Sequence, residues 1–205
     1  LLDDGAEPAT ARSRQLALRR LSAWLKEEAE IETDHLANLK PPKLDSKIVP
    51  ELSEDELLAL VKACRDVADF RGRRDEAIVR LMIETGARAG EVVNVNVPDV
   101  DLRGGTVIIR KGKGGKGRTV PIGAQTTRAI DRYLRMRRSH RLAQAGSPQL
   151  WLGDRGKGFN YYGLYSALAY RAELAGLEGF HPHILRHTAA GRWLATPLRA
   201  VQIGI

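Results

Sequence analysis

The residues of this chain best suited to chemistry lie in one pentapeptide, His183-Ile184-Leu185-Arg186-His187. On a helix, residues three and four apart share a face, so His183, Arg186 and His187 are predicted to point together. Ile184 and Leu185 are predicted to point elsewhere. One guanidinium and two imidazoles suit an anion with transferable protons, so the pentapeptide predicts a site for an anion such as a phosphodiester.

Two other interpretations of the pentapeptide start from its histidines. Histidines four apart can share a zinc ion, but the glutamate of a zincin helix is absent, Cys64 is remote and Arg186 would repel the metal. We therefore predict no metal. A structural helix with incidental histidines remains the alternative to an anion site.

A second candidate is Arg88, which follows Thr85-Gly86-Ala87 at a predicted helix start, where backbone amides favour anions. Glu91, three residues later, can hold the guanidinium through an i,i+3 pair. The alternative is a surface ion pair, which by itself contributes little.

A glycine-rich loop, Gly112 to Gly117, joins two β-like segments at 106–110 and 118–121. Its glycines let backbone amides approach a phosphate, and Lys113 and Lys116 supply cations. A nucleotide-binding P-loop is excluded, because neither Ser nor Thr follows Gly-Lys and a strand comes next. A plain flexible turn is the alternative, but the basic residues on either side favour a DNA-contacting finger.

Positive charge is concentrated in the same part of the chain. The net charge is +8, and residues 103–141 carry 12 basic groups against Asp131 alone. A solvated surface helix usually carries both signs, so this segment predicts binding to nucleic acid or another polyanion. The aromatic content of 5% argues against base stacking as the main binding device. The residues predicted to contact DNA are Arg110, Lys111, Lys116 and Arg118 in this segment, and Arg12, Arg14 and Arg19 in the N-terminal helix.

Apolar periodicity predicts a mainly α-helical domain with a small antiparallel β-hairpin. Helices are predicted over about 11–31, 74–85, 89–93, 124–143 and 161–175, with one more after the capping box of Ser53 and Glu56 and another opened by Pro182. Residues 1–10 are expected to be frayed, residues 39–43 to form a linker and residues 150–152 a short strand. Cys64 lies in an apolar-periodic setting and is predicted to be a core residue. Without a membrane-spanning run or a signal pattern, and with a single cysteine, the chain is expected to be cytoplasmic and to have no membrane partner.

Three motifs in register resemble those of the tyrosine recombinase, or phage integrase, family. They are Thr85-Gly86-Ala87-Arg88-Ala89-Gly90-Glu91, Gly112-Lys113-Gly114-Gly115-Lys116-Gly117-Arg118-Thr119-Val120-Pro121 and His181-Pro182-His183-Ile184-Leu185-Arg186-His187-Thr188. The resemblance covers about residues 50–195, and residues 11–50 resemble the last helix of the family's core-binding domain with its linker. It implies the family's catalytic-domain fold over 51–205, preceded by a partial core-binding helical region (1–39) and a linker (40–50).

The resemblance also implies an activity, which is site-specific DNA strand exchange without metal or other cofactor. In the family a tyrosine attacks the scissile phosphate and gives a 3′-phosphotyrosyl link. By position, Arg88 and Arg186 would bind the non-bridging oxygens, Lys113 would protonate the leaving 5′-oxygen, and His183 would handle the tyrosine proton or stabilise the same oxyanion. Glu91 would orient Arg88, and His187 would support the helix. The implied partners are a double-stranded recombination site and, on DNA, three further copies of the protein in a homotetramer.

The chain departs from the family pattern after the third motif. The family has a Gly-His or Gly-Trp pair and then the nucleophilic tyrosine, whereas here residues 197–202 resemble the family's next helix and all five tyrosines, Tyr133 to Tyr170, lie before His183. The catalytic domain is therefore expected to lack its nucleophile segment. Tyr161, Tyr162 and Tyr165 are assigned to helix packing. The alternatives to a recombinase are a DNA-binding remnant that modulates an intact recombinase, and a general helical nucleic-acid-binding protein.

Overall fold

A computed structural model describes residues 7–44, 50–66, 68–110, 117–154 and 156–195 of the chain. The chain divides into two units, Leu1–Ile48 and Val49–Ile205. Residues 111–116, which include all of the predicted glycine-rich loop except Gly117, and the segment at 197–202 lie outside the described residues.

The first unit contains one long helix, α1 (Pro8–Glu27), with proline in its first turn. The helix begins three residues before the predicted start, so the expectation that 8–10 are frayed is wrong, and it ends four residues before the predicted end. Polar side chains tie the following segment back to it: Ser22 donates to Asp34 at 2.5 Å, and Arg19 donates to the Ala37 carbonyl at 2.6 Å. The large apolar residues of α1 are half-exposed, at 51% each for Leu16, Leu18, Leu21 and Trp24.

The second unit holds the remaining elements. Its helices are α2 (Glu54–Arg65), α3 (Phe70–Thr85), α4 (Ala89–Val93), α5 (Ala124–Arg137), α6 (Arg141–Gln144), α7 (Tyr161–Leu174) and α8 (Pro182–Ala195). Its strands are β1 (Val100–Asp101), β2 (Thr106–Ile109) and β3 (Arg118–Pro121). This is the predicted class, mainly helical with a small antiparallel sheet.

Helix α3 lies at the centre of this unit and packs against α2, α5 and α8. It begins at Phe70, four residues before the predicted start, and the carboxylate of the preceding Asp69 caps it by accepting the Gly72 N–H. It ends at Gly86 with φ +57°, the left-handed conformation that favours glycine. Cys64 of α2 is fully buried in the same core, as predicted, and burial raises the pKa of its thiol.

The sheet has the order β1-β2-β3 and is antiparallel throughout. In the β2–β3 pair, Val107 lies opposite Val120 and Ile109 opposite Arg118. The inward-facing residues Val107 and Ile109 are buried, as alternation on a half-buried strand requires. Sequence periodicity missed β1, because two residues are too short to show a period.

Two predicted elements differ from those observed. The predicted helix over 124–143 stops at Arg137, and α6 starts afresh after His140, whose Nδ1 accepts the Leu142 N–H. Residues 150–152 form no strand: Leu152 makes one isolated bridge to Gly158, although Leu150, Trp151 and Leu152 are fully buried. None of the described helices is both long and apolar enough to span a membrane.

Candidate active site

Helix α8 presents the predicted catalytic face. Ile184 and Leu185 are buried, whereas His183 is exposed and Arg186 and His187 are half-buried. The two imidazoles meet edge to face, with ring centroids 4.6 Å apart. The predicted orientation of the pentapeptide is therefore confirmed, because the period of a helix is a local property.

The imidazole of His183 favours its neutral form. Partial desolvation lowers its pKa from the ordinary value of 6.5, and the nearby charges of His187, Arg186, His181 and Arg88 lower it further. At neutral pH His183 is therefore able to accept a proton or a hydrogen bond.

Arg186 connects α8 to the end of α3. Its Nη1 donates to the carbonyl of Gly86, a residue 100 positions earlier in the sequence. The Trp193 ring covers the same glycine: a Cβ added there would lie 3.2 Å from the ring. Two residues after Gly86 comes Arg88, so this contact brings the two predicted arginines to the same place.

Glu91 organises the other side of the site. Its carboxylate accepts the Arg88 backbone N–H at 2.9 Å and the Arg88 guanidinium at 3.2 Å. It also accepts two hydrogen bonds from Arg118, at 3.2 and 2.8 Å. The Glu91 side chain is only 6% exposed, so this is not the surface ion pair considered as the alternative.

The pKa of Glu91 reflects these partners. Burial alone would raise it, but the hydrogen bonds from Arg118 and from Arg88 stabilise the anion and lower the pKa to about 2. Glu91 is therefore a fixed negative charge at any neutral or mildly acidic pH.

An open cleft of about 580 Å³ lies between these groups. It is lined by Met82, Ala87, Arg88, Ala89, Gly90, Glu91, Tyr161, Pro182, His183 and Arg186. Arg88, Glu91, His183 and Arg186 thus share one cavity, although the first pair lies about a hundred residues from the second. Lys113 lies outside the described residues.

Tyr161 is the cleft residue that sequence reasoning did not place there. The prediction that Tyr161, Tyr162 and Tyr165 serve helix packing is wrong, because these residues are 48%, 78% and 41% exposed. Helix α7 packs instead through Leu164 and Leu168. No local pattern marks Tyr161, because it reaches the cleft only through the packing of α7 near α4 and α8.

The predicted DNA-contacting residues fall into three groups. Arg110 and Arg118 pair with Asp99 and Glu91, so the two arginines at the base of the hairpin are bound within the protein. Lys111 and Lys116 lie outside the described residues. In the first unit the two predicted residues at the start of α1, Arg12 and Arg14, are exposed, while Arg19 binds the carbonyl described above.

Among the described residues, no group of three or more His, Cys, Asp or Glu side chains is placed to hold a metal ion. The polar groups that converge on the cleft are arginines, a histidine and a paired glutamate. This set matches an anion that carries several oxygen acceptors.

Fold and cleft together define the class: a mainly helical domain with two arginines and a neutral histidine at one anion-binding cavity. Residues 50–202 match the phage integrase family, and the chain belongs to that family. The tyrosine recombinase XerD of Mycobacterium leprae is 33% identical over 198 residues, which cover 91% of this chain and 62% of the relative. The chain thus spans less than two thirds of the length of this relative, and 65% of the tyrosine recombinase XerD of Vibrio vulnificus.

Solved structures share the fold. XerH site-specific recombinase, bound to a palindromic difH substrate in a post-cleavage complex, has a TM-score of 0.76 at 23% identity. That match covers 98% of this chain and 61% of XerH. A lambda integrase tetramer bound to a Holliday junction has a TM-score of 0.71 at 17% identity, covering 98% of this chain and 59% of the integrase. The architecture is that of tyrosine recombinase catalytic domains.

Proposed function

We propose that the protein is a site-specific DNA recombinase and that the cleft binds the scissile phosphodiester. The observation that carries this proposal is the convergence of Arg88, His183 and Arg186 on one cavity in a chain of the phage integrase family. Two guanidiniums can bind both non-bridging oxygens of a phosphate, and they bind more strongly as negative charge develops there.

The proposed cleavage step is a phosphoryl transfer to tyrosine. The phenolic oxygen attacks phosphorus, the bond to the 5′-oxygen breaks, and a 3′-phosphotyrosyl link and a 5′-hydroxyl are formed. Neutral His183 takes the phenol proton, or donates a hydrogen bond to the non-bridging oxygens while the phenol proton passes to water. Lys113 gives a proton to the leaving 5′-oxygen. Because the covalent link keeps the energy of the phosphodiester, rejoining requires neither a metal nor a high-energy cofactor.

Glu91 and His187 support these groups. Glu91 orients the guanidinium of Arg88, and the ring of His187 packs against that of His183. We assign the nucleophile to none of the five tyrosines of this sequence. The proposed partners are a double-stranded recombination site and three further copies of the protein, and the DNA-bound XerH and tetrameric lambda integrase structures support both.

The experiment that tests the site uses the joining step, which needs no tyrosine. The substrate is a nicked duplex whose 3′-end carries a p-nitrophenyl phosphate ester opposite a 5′-hydroxyl, with randomised sequence on both sides of the nick. The 5′-oxygen attacks phosphorus, its proton passes to a base or to water, and p-nitrophenolate leaves as the tyrosine would. Sequencing the ligated strands identifies the preferred sequence, and a duplex of that sequence is the substrate for rate measurements.

We expect the chain to ligate this DNA, and Arg88→Ala or Arg186→Ala to slow ligation by about 100- to 1,000-fold. Arg103→Ala is the matched control, because it removes one exposed arginine from the β1–β2 turn. If the chain gives no ligation above background, the proposed phosphoryl transfer is wrong. If the two arginine variants weaken DNA binding no more than the control and leave ligation unchanged, the protein is a general nucleic-acid binder.

A second substrate asks whether this sequence cleaves DNA by itself. A suicide duplex with a nick beside the scissile bond traps the covalent intermediate, and peptide mapping of the adduct identifies the tyrosine. An adduct supports cleavage by this sequence. Salt-sensitive, reversible binding without an adduct supports the alternative, a DNA-binding remnant.

A further inference from the structure

The Glu91 carboxylate is shared unequally between two arginines. Arg118 occupies both of its oxygens, with hydrogen bonds of 3.2 and 2.8 Å, whereas the Arg88 guanidinium makes one bond of 3.2 Å. A guanidinium has five N–H donors. Among the described residues, Arg88 uses one of them on Glu91, so the others remain available to a phosphate in the cleft.

Because Glu91 is buried, the number of arginines that bind it decides how tightly it holds Arg88. A carboxylate that is almost fully buried needs cationic partners, because the loss of water is offset only by good hydrogen bonds. With Arg88 as its single cation, Glu91 would attract the whole guanidinium into a two-bond pair, the geometry that arginine and carboxylate prefer. That pair would also be neutral, and it would bind a phosphate weakly.

We infer that Arg118 is a positioning residue for the proposed active site: by occupying both oxygens of Glu91, it leaves the guanidinium of Arg88 directed at the cleft. The inference rests on the proposed function. It assigns Arg118 a role different from the DNA contact predicted from sequence. With two arginines on one glutamate, the cluster keeps a net charge of +1 beside the bound phosphate.

The backbone fixes where this guanidinium lies. Arg118 is the first residue of β3 and pairs in register with Ile109, a buried residue of β2. Its side chain is 37% exposed, so it is held by Glu91 rather than by tight packing. Glu91 lies on α4, the helix that begins beside Arg88, so Arg118 connects the sheet to the helix that carries the site.

A double-mutant cycle on the ligation reaction tests this role. We expect Arg118→Ala to lower the ligation rate at saturating DNA by about 10- to 100-fold, because the Arg88 guanidinium would turn from the cleft toward Glu91. Its DNA dissociation constant should change no more than that of Arg103→Ala. In a Glu91→Gln background, Arg118→Ala should lower the ligation rate no further, because Arg118 acts through the charge of Glu91, which this background lacks.

Arg118→Lys separates charge from geometry. Lysine keeps the positive charge but cannot span both oxygens, so we expect partial rescue of the rate. The inference is overturned if Arg118→Ala is as costly in the Glu91→Gln background as in the native one. It is also overturned if Arg118→Ala weakens binding and reduces its salt dependence with the rate at saturation unchanged, since Arg118 would then contact phosphate directly.

A measurement without DNA separates this inference from the proposed function. Among the described residues, the charged groups that bind Glu91 are Arg88 and Arg118, so Arg118→Ala should raise the Glu91 pKa from about 2 toward its ordinary 4.5. Carbon-13 NMR of the carboxyl group reports this titration, and Arg103→Ala should leave it unchanged. If the pKa rises but the native chain shows no ligation, the proposed function fails and the contact stands. An unchanged Glu91 pKa overturns the inference in either case.

Discussion

At the residue scale, the chemistry of the site depends on the protonation of His183. Its lowered pKa means that the folded protein holds it neutral at pH 7, and that it gains a proton only when the pH falls through a value below 6.5. A neutral imidazole can accept the proton of a nucleophile, whereas a protonated one cannot. The titration of His183 in the folded protein therefore sets the pH range in which it can accept the phenol proton.

We predict that the His183 imidazole of the folded protein takes up its proton below pH 6.5, measured by nitrogen-15 NMR of the labelled histidines. His187→Gln removes a neighbouring charge that lowers the His183 pKa, so this titration should move to higher pH. In His183→Gln the corresponding resonance should be absent, which assigns it. A His183 pKa at or above 6.5 in the native protein would contradict a neutral imidazole at the site.

At the element scale, the end of α3 determines where both arginines lie. Gly86 terminates the helix with a positive φ, offers its carbonyl to Arg186 and lies against Trp193. A side chain at this position would be destabilised by the positive φ, and its Cβ would also press against the Trp193 ring. The helix terminus is therefore part of the site, although its own residue has no chemistry.

Gly86→Ala is predicted to lower the free energy of unfolding by about 1–2 kcal/mol and to slow ligation. The matched control is Gly176→Ala, which has φ +72° and no neighbour within 4 Å of the added Cβ. The control should show a similar loss in the free energy of unfolding, measured by urea denaturation, and an unchanged ligation rate. Equal rates in the two variants would contradict a role for this helix terminus in placing Arg186.

A buried ion cluster joins α3 to α7. Asp75 accepts from Arg74 and, at 2.9 Å, from Arg171, and all three residues are almost fully buried. On an ordinary amphipathic helix charged side chains face water. Their burial shows that the cluster is an internal connection between two helices.

We predict that Asp75→Asn destabilises the protein by about 3–5 kcal/mol, because two buried guanidiniums lose their counter-ion. Asp131→Asn is the control, since Asp131 pairs with Arg135 on the surface of α5 and contributes less than about 1 kcal/mol. Thermal or urea unfolding of both variants gives the comparison. A loss below that of the control would contradict the structural role of the cluster.

At the scale of the whole molecule, several of the basic residues in 103–141 are bound within the protein. Arg110, Arg118 and Arg135 are paired with carboxylates. Arg137 is buried and donates to the carbonyls of Ser147, Gln149 and Leu150. Part of the charge that suggested a polyanion partner therefore stabilises the fold.

DNA binding is nevertheless predicted to be strongly dependent on salt. If six to ten of the remaining basic groups contact phosphates, the affinity should fall by about three to five decades between 50 and 200 mM salt. Fluorescence anisotropy with the selected duplex measures this slope. A flat response would contradict binding to the DNA backbone.

The sequence by itself determined the features that depend on neighbours along the chain. The period of α8 separates His183 and Arg186 from Ile184 and Leu185, and the capping box of Ser53 and Glu56 forms as predicted. The three motifs led to the family, because their residue types and order are properties of the sequence alone. Local hydrogen bonding and helical geometry are sufficient for each of these results.

Tertiary structure alone decided which distant groups meet. Arg118 binds a carboxylate 27 residues away, Arg186 a carbonyl 100 residues away and Arg171 an aspartate 96 residues away. An arginine that faces DNA and one that holds a buried glutamate look alike in a sequence, since both are single charges in a polar segment. The packing of helices and strands determines which partner each arginine has. Only the fold removes a carboxylate from water, and an arginine then provides the hydrogen bonds that water would have made.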